Sequence, residues 1–158
     1  MNVFRKMRRF KQQLSDERCI EILTTEKRGV LALNGDGGYP YTVPLSFVYE
    51  DGKIYFHSAV EGHKIDAITK DSRASFCVLC ETEQDSDGWS YYVDSVVAFG
   101  KIAVITGEAD RTDKLRKLGL KYFPTAEMVE SDLQKNAARA LVLALEIEHM
   151  TGKHVHER

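Results

Sequence analysis

The sequence predicts one mainly β domain with peripheral helices, its antiparallel sheet closing toward a barrel. Short apolar segments with a two-residue period recur along the chain, and tight-turn residues join several of them. Helical spacing is confined to the start, middle and late chain, without the regular β-α-β-α alternation of a doubly wound sheet. With 158 residues there is room for one ordinary core and little for a second.

The first element is a helix. Ser15 can cap it, and Asp16 and Glu17 suit the positive end of its dipole. Cys19, Ile20, Ile22 and Leu23 supply an apolar stripe that ends before Gly29. The period then changes. Gly29–Asn34 (GVLALN) reads as a strand, Gly35-Asp36-Gly37-Gly38 as a hairpin turn, and residues 41–49 as the partner strand. Asp51-Gly52 turns the chain again into a third strand, Lys53–Ser58. Residues 61–71 carry Ile65 and Ile68 on one face and read as a short helix, and residues 74–80 read as a buried strand. Residues 81–90 hold no apolar side chain before Trp89 and read as a long loop, while 92–105 form one strand bent near Gly100. Residues 112–123 place Leu115, Leu118 and Tyr122 at helical spacing and stop at Pro124. Leu141, Leu143, Leu145 and Ile147 alternate with Val142, Ala144, Glu146 and Glu148, which closes a sheet of about six strands.

Composition removes several function classes. A net charge of −2 and a pI near 6.2 argue against a nucleic-acid partner. Met7, Arg8, Arg9 and Lys11 make the start basic, but no long apolar run follows, so neither an export signal nor a membrane span is expected. The odd count of three cysteines fits a reducing compartment, the cytoplasm. Cys77 and Cys80 have C-x-x-C spacing, yet on a strand residues three apart face opposite sides, so both read as buried core thiols rather than metal ligands. His154 and His156 lack a third ligand nearby and read as a solvated tail. No metal site is expected.

The densest polar cluster is His57-Ser58-Ala59-Val60-Glu61-Gly62-His63-Lys64, where a strand ends and a helix begins. A helix N-terminus offers free N–H groups and a positive dipole end, which suits a phosphate. Ser58 adds a hydroxyl, Gly62 allows close backbone approach, and His63 and Lys64 add positive or donating groups. Ordinary capping with two solvated side chains is the alternative.

Longer stretches add specificity. Gly38-Tyr39-Pro40-Tyr41-Thr42-Val43-Pro44-Leu45-Ser46-Phe47, then Tyr49 through Ala59, then Glu61-Gly62-His63-Lys64-Ile65-Asp66 resemble the NimA-like (5-nitroimidazole resistance) branch of the pyridoxamine 5'-phosphate oxidase-like flavoproteins. Asp94-Ser95-Val96-Val97-Ala98-Phe99-Gly100 resembles that family's Ser-Val-x-x-Phe-Gly strand, and Thr151-Gly152-Lys153 its terminal element. Met7-Arg8-Arg9 resembles a common opening, so the likeness runs along nearly the whole chain. It implies an FMN-binding split β-barrel, with FAD as the other flavin to consider, and a homodimer holding flavin in clefts at its interface. Val43, Pro44, Leu45 and Ser46 would then run beside the isoalloxazine, and Ser58, His63 and Lys64 would hold the phosphate. Ser95, Val96 and Val97 would line the flavin, with Lys153 contributing from the second subunit. His57 would face substrate as the catalytic residue. Many relatives carry a basic residue where this chain has Asp94, and a carboxylate touching phosphate there would repel it.

The expected function is therefore an FMN-dependent oxidoreductase reducing a small organic acceptor, a nitroimidazole or other nitroaromatic. The alternatives are a non-catalytic flavin or haem sensor, a pyridoxamine-phosphate-oxidase-like enzyme, and a cofactor-free structural dimer. Turnover with a reduced nicotinamide and bound flavin colour separate them.

Overall fold

Ser15 does cap the first helix: its hydroxyl accepts a hydrogen bond from the Arg18 amide at 3.2 Å. In this computed structural model, which describes residues 3–157, the capped helix α1 (Asp16–Thr25) buries Cys19, Ile22 and Leu23. Ile20 stays exposed, so the stripe is narrower than the sequence suggested.

Seven antiparallel strands form one sheet: β1 (Gly29–Asn34), β2 (Pro40–Leu45), β3 (Val48–Glu50), β4 (Lys53–Ser58), β5 (Arg73–Gln84), β6 (Tyr91–Val104) and β7 (Leu141–Glu157). Their spatial order is β2-β1-β5-β6-β7-β4-β3. The two edges, β2 and β3, are joined by Ser46 and Phe47 alone, so the sheet must curl back on itself into an open barrel. This is the predicted fold class. Leu31, Phe56, Phe76, Val78, Val96 and Leu145 fill the concave side together with the buried face of α1. Phe76 sits edge-on to both Phe47 and Phe56, at ring distances of 4.9 and 5.0 Å.

Three helices lie outside the sheet: α2 (His63–Lys70), α3 (Glu108–Tyr122) and α4 (Ala126–Asn136). Helix α3 packs over β3, β4 and β7, and α4 packs on α3. None of the described helices is long and apolar enough to cross a membrane.

Several boundaries differ from expectation. The expected strand 41–49 is two, because the chain crosses the seam at Ser46-Phe47 and buries the Phe47 ring completely. The expected loop 81–90 shrinks to a turn, since β5 and β6 keep pairing out to Gln84 and Tyr91. That part of the hairpin is solvated on both faces, so it carries no apolar alternation to read. The bend near Gly100 is real: the β6–β7 register slips between Phe99 and Gly100. Helix α4 went unread because it buries only Val129, although Thr125 caps it by accepting from the Met128 amide at 3.3 Å. The expected solvated tail is instead strand: His154 pairs with Asp94 and His156 with Tyr92, extending β7 to Glu157.

The seam is held from outside by the end of α3. The Tyr122 hydroxyl accepts from the Phe47 amide at 2.8 Å, and Lys121 Nζ donates to the Phe47 carbonyl at 3.1 Å. Lys121 also lies 4.0 Å above the Phe47 ring. Burial, with the neighbouring Lys27, pushes the Lys121 ammonium down to about 8 against the pull of Glu26. Between that value and the ordinary 10.5, the unfolded chain binds a proton that the folded one has released. Stability from this group therefore rises with pH across that interval. Melting curves should show this rise in the parent protein, and Lys121→Met should flatten it.

Candidate functional site

The expected site residues fall into three groups. The first surrounds the start of α2. Ser58 ends β4 with its side chain buried, and its hydroxyl has no protein partner among the described residues. Gly62 precedes the helix at φ +126°, a conformation that glycine accepts and L side chains resist, and no side chain caps the helix there. The His63 and Lys64 amides begin α2 and lack intrahelical acceptors. Lys64 is half-buried without an anionic partner, and burial lowers its pKa. His63 stacks on Tyr41 at 4.1 Å and approaches Asp36 at 3.6 Å. The unpartnered hydroxyl of a buried serine, a half-buried unpaired cation and open helix amides are the donor set that a phosphate needs, so this cradle fits one.

The second group is the seam. As an edge strand, β2 has a single neighbour, leaving alternate backbone groups unpaired. Val43 and Leu45 turn their side chains toward the core, whereas Pro44 is exposed. Ser46 and His57 come together as walls of one cavity of about 330 Å³ beneath α3 and α4. Its remaining lining is mostly apolar, with Leu118, Val129 and Leu133 prominent. Its other polar walls are Arg28, Tyr122, Asp132 and Asn136, none of which the sequence motifs singled out. Thr125, which caps the helix that brings Asp132 and Asn136, is the local signal that could have revealed it.

The third group lies on the convex face of β6 and β7. Ser95 pairs with Lys153, and Val97 with Thr151. Ser95, Val97 and Lys153 are half-buried, but Val96 between them is fully buried and packs inward. Its side chain belongs to the core. Within one chain β1 and β5 separate this group from β2, and Lys153 lies on β7 beyond the residues that pair with β4.

Asp94 is answered by the fold. It points to the concave side, nearly buried, where Arg18 donates from Nε at 3.1 Å and Nη2 at 3.0 Å. His154 Nδ1 lies 2.6 Å from its other oxygen. The carboxylate faces away from Ser95 and Val97, so it does not confront a ligand on the convex face. Asp94→Asn should cost about 2 kcal/mol in denaturant unfolding, less than a fully buried pair because Arg18 is partly exposed. It should leave flavin affinity unchanged.

The cysteines diverge as expected but are less enclosed. Cys77 and Cys80 are half-buried and Cys19 is buried, all three as free thiols. Cys77 faces the convex side of β5, which no helix covers, while Cys80 sits where β5 leaves the core. His156 Nε2 lies 2.9 Å from Asp85 and 3.0 Å from Ser90 Oγ, and Tyr92 stacks against it at 4.3 Å.

Comparison with known proteins places this geometry. The family model described as pyridoxamine 5'-phosphate oxidase matches residues 15–154. No protein of curated function matches the sequence. Among solved structures, the chain is similar to a candidate 5-nitroimidazole antibiotic resistance protein from Bacteroides thetaiotaomicron. The TM-score is 0.76 at 20% identity, over 92% of this chain and 87% of that one. It is also similar to a FAD-binding protein from Mesorhizobium loti, with TM-score 0.69 and 26% identity over 91% of this chain and 97% of that one. A FAD- and haem-binding protein from Mycobacterium smegmatis aligns with TM-score 0.72 and 24% identity, over 90% of this chain and 72% of that one.

Proposed function

Because the chain belongs to the pyridoxamine 5'-phosphate oxidase family, we propose that it binds a flavin, FMN in the first instance, and reduces a small organic acceptor of the nitroaromatic class. The observation that carries this is the cradle at α2: Ser58 is buried, Lys64 is half-buried, and neither side chain has a protein partner among the described residues. Such groups cost stability unless a ligand satisfies them.

Bound there, a flavin supplies electron transfer that no side chain can provide. The protein's own work is binding, orientation and proton supply. Ser58, the His63 amide and Lys64 hold the phosphate, and His63 is kept in place by Tyr41 and Asp36. The unpaired edge of β2 at Val43–Ser46 offers backbone groups to the polar rim of the ring system. His57, exposed at the cavity wall with Ser46, holds a proton where an acceptor would lie.

The reading includes a second copy of the chain. Val30, Leu79 and Phe99 are exposed on the convex face, where large apolar side chains ordinarily meet a partner. A twofold contact through this face would bring Ser95, Val97 and Lys153 of one copy toward the cradle of the other. Its free thiols suit the reducing cytoplasm.

The test is an absorbance spectrum before and after addition of FMN or FAD and desalting, followed by anaerobic titration with a reduced nicotinamide. Retained flavin bands that bleach with the nicotinamide and recover with a nitroaromatic support the enzyme. A protein that stays colourless removes the flavin, and bleaching with dithionite alone leaves a binder. Retention of FAD over FMN would align the chain with what the Mesorhizobium and Mycobacterium relatives bind. His57→Ala should keep flavin and lower turnover about a hundredfold, the ordinary worth of one general acid or base. An unchanged rate would remove His57 from the chemistry.

A further inference from the structure

We infer that the cavity beneath α3 and α4 selects the acceptor, and that it takes a small planar aromatic carrying both an oxygen-rich group and an N–H donor. The inference rests on the proposed acceptor chemistry but adds a recognition rule to it. Two charged groups of opposite sign line this space, Arg28 and Asp132, and neither forms an ion pair with any described residue. Arg28 precedes β1, whereas Asp132 lies on α4.

Each is aimed by its neighbours. The Arg28 guanidinium lies over the Tyr122 ring at 5.4 Å and spends one donor, Nη1, on the Lys27 carbonyl at 3.0 Å. Its other donors remain for an oxygen-rich group, which a planar guanidinium suits. On the opposite element, Asn136 Nδ2 donates to Asp132 Oδ1 at 2.7 Å. Arg139 Nη2 in turn donates to Asn136 Oδ1 at 3.0 Å, fixing the amide so that its NH2 faces the carboxylate. Asp132 Oδ2 is left to accept from a ligand. The rest of the lining is mostly apolar side chains of α3 and α4, around a volume of about 330 Å³, the small end of ligand pockets. A ligand carrying both groups meets Arg28 and Asp132 at once, and one lacking either leaves one of the two without a ligand partner.

The probe is 4-nitroaniline, measured by calorimetry and by the shift of its own absorbance band against full-length protein as purified. It should bind at least tenfold more tightly than nitrobenzene, which lacks the donor, and than aniline, which lacks the oxygens. Asp132→Asn should abolish the preference over nitrobenzene, and Arg28→Gln the preference over aniline. Leu133→Trp, which fills the space and keeps both charged residues, should abolish binding. Flavin retention is measured on the same samples. Failure of 4-nitroaniline to bind, or equal binding by both charge variants, overturns the inference even where flavin is retained. Selective binding by a protein that refuses flavin upholds the pocket and removes only the flavin.

Discussion

Replacing Lys64 with methionine should weaken FMN binding ten- to a hundredfold, while the flavin-free protein melts at a higher temperature than its parent. The two effects have one cause. Lys64 is half-buried, no carboxylate faces it, and desolvation lowers its pKa. In the free protein the charge is therefore a cost, and methionine removes it while keeping the length and the packing of the stem. With phosphate bound, the same ammonium gives a charge-assisted hydrogen bond worth about 1.5–3 kcal/mol, which is the stated loss of affinity. Because the folded form releases its proton more readily, stability from this group rises as pH climbs toward the ordinary lysine value of 10.5. The methionine variant should lose that slope. Fluorescence titration with FMN and melting curves of the same preparations check both halves. A variant that loses stability and keeps its affinity would make Lys64 a structural residue.

Gly100→Ala should be the most damaging conservative change in the sheet. A Cβ built there falls 1.8 Å from the Glu146 carbonyl oxygen and 2.8 Å from its carbon. These are backbone atoms of the paired strand, so no rotamer change can relieve them, and the strands must part where the β6–β7 register already slips. A loss on the order of 3 kcal/mol or more is expected. For a chain of this size that lowers the melting temperature by about 10 °C. Gly107→Ser is the control. Gly107 precedes α3 at φ −77° with Asp110 Cβ no nearer than 3.9 Å, and serine there should be neutral or mildly stabilising.

Residue patterns carried the barrel well wherever one face was buried and the other wet. Gly29–Asn34 was legible to the residue because the alternation of its side chains matches its burial, and Lys53–Ser58 because the Asp51-Gly52 turn marks its start. Legibility failed where little of a segment meets the core. The far half of β5 is polar on both faces, and the end of β7 carries histidines that pair with a buried aspartate and a tyrosine stack rather than with a core. Helix α4 hides because it exposes most of its surface and buries one valine. The proposed phosphate cradle is a strand-to-helix junction that can be read locally, since its donor groups lie within Ser58–Lys64. The seam cavity cannot, because Arg28, Ser46, His57 and Asp132 meet only when the sheet curls and α4 folds over it. Asp94 shows the converse. It looked like a hazard to the ligand in a linear motif, and strand parity turns it to the other side of the sheet.

The prolines of β2 have a bearing on how copies of this chain can associate. Pro40 and Pro44 occupy the longer of the two sheet edges, and positions of equal parity along a strand direct their amide nitrogens the same way. Two sites along that rim thus have no hydrogen to offer an incoming strand, and the opposite rim, β3, is only three residues long. Edge-to-edge templating, the route to fibrils and runaway polymers, has no continuous ladder on which to grow. The twofold face-to-face pairing proposed above is of the other kind and self-limiting: it stops at two.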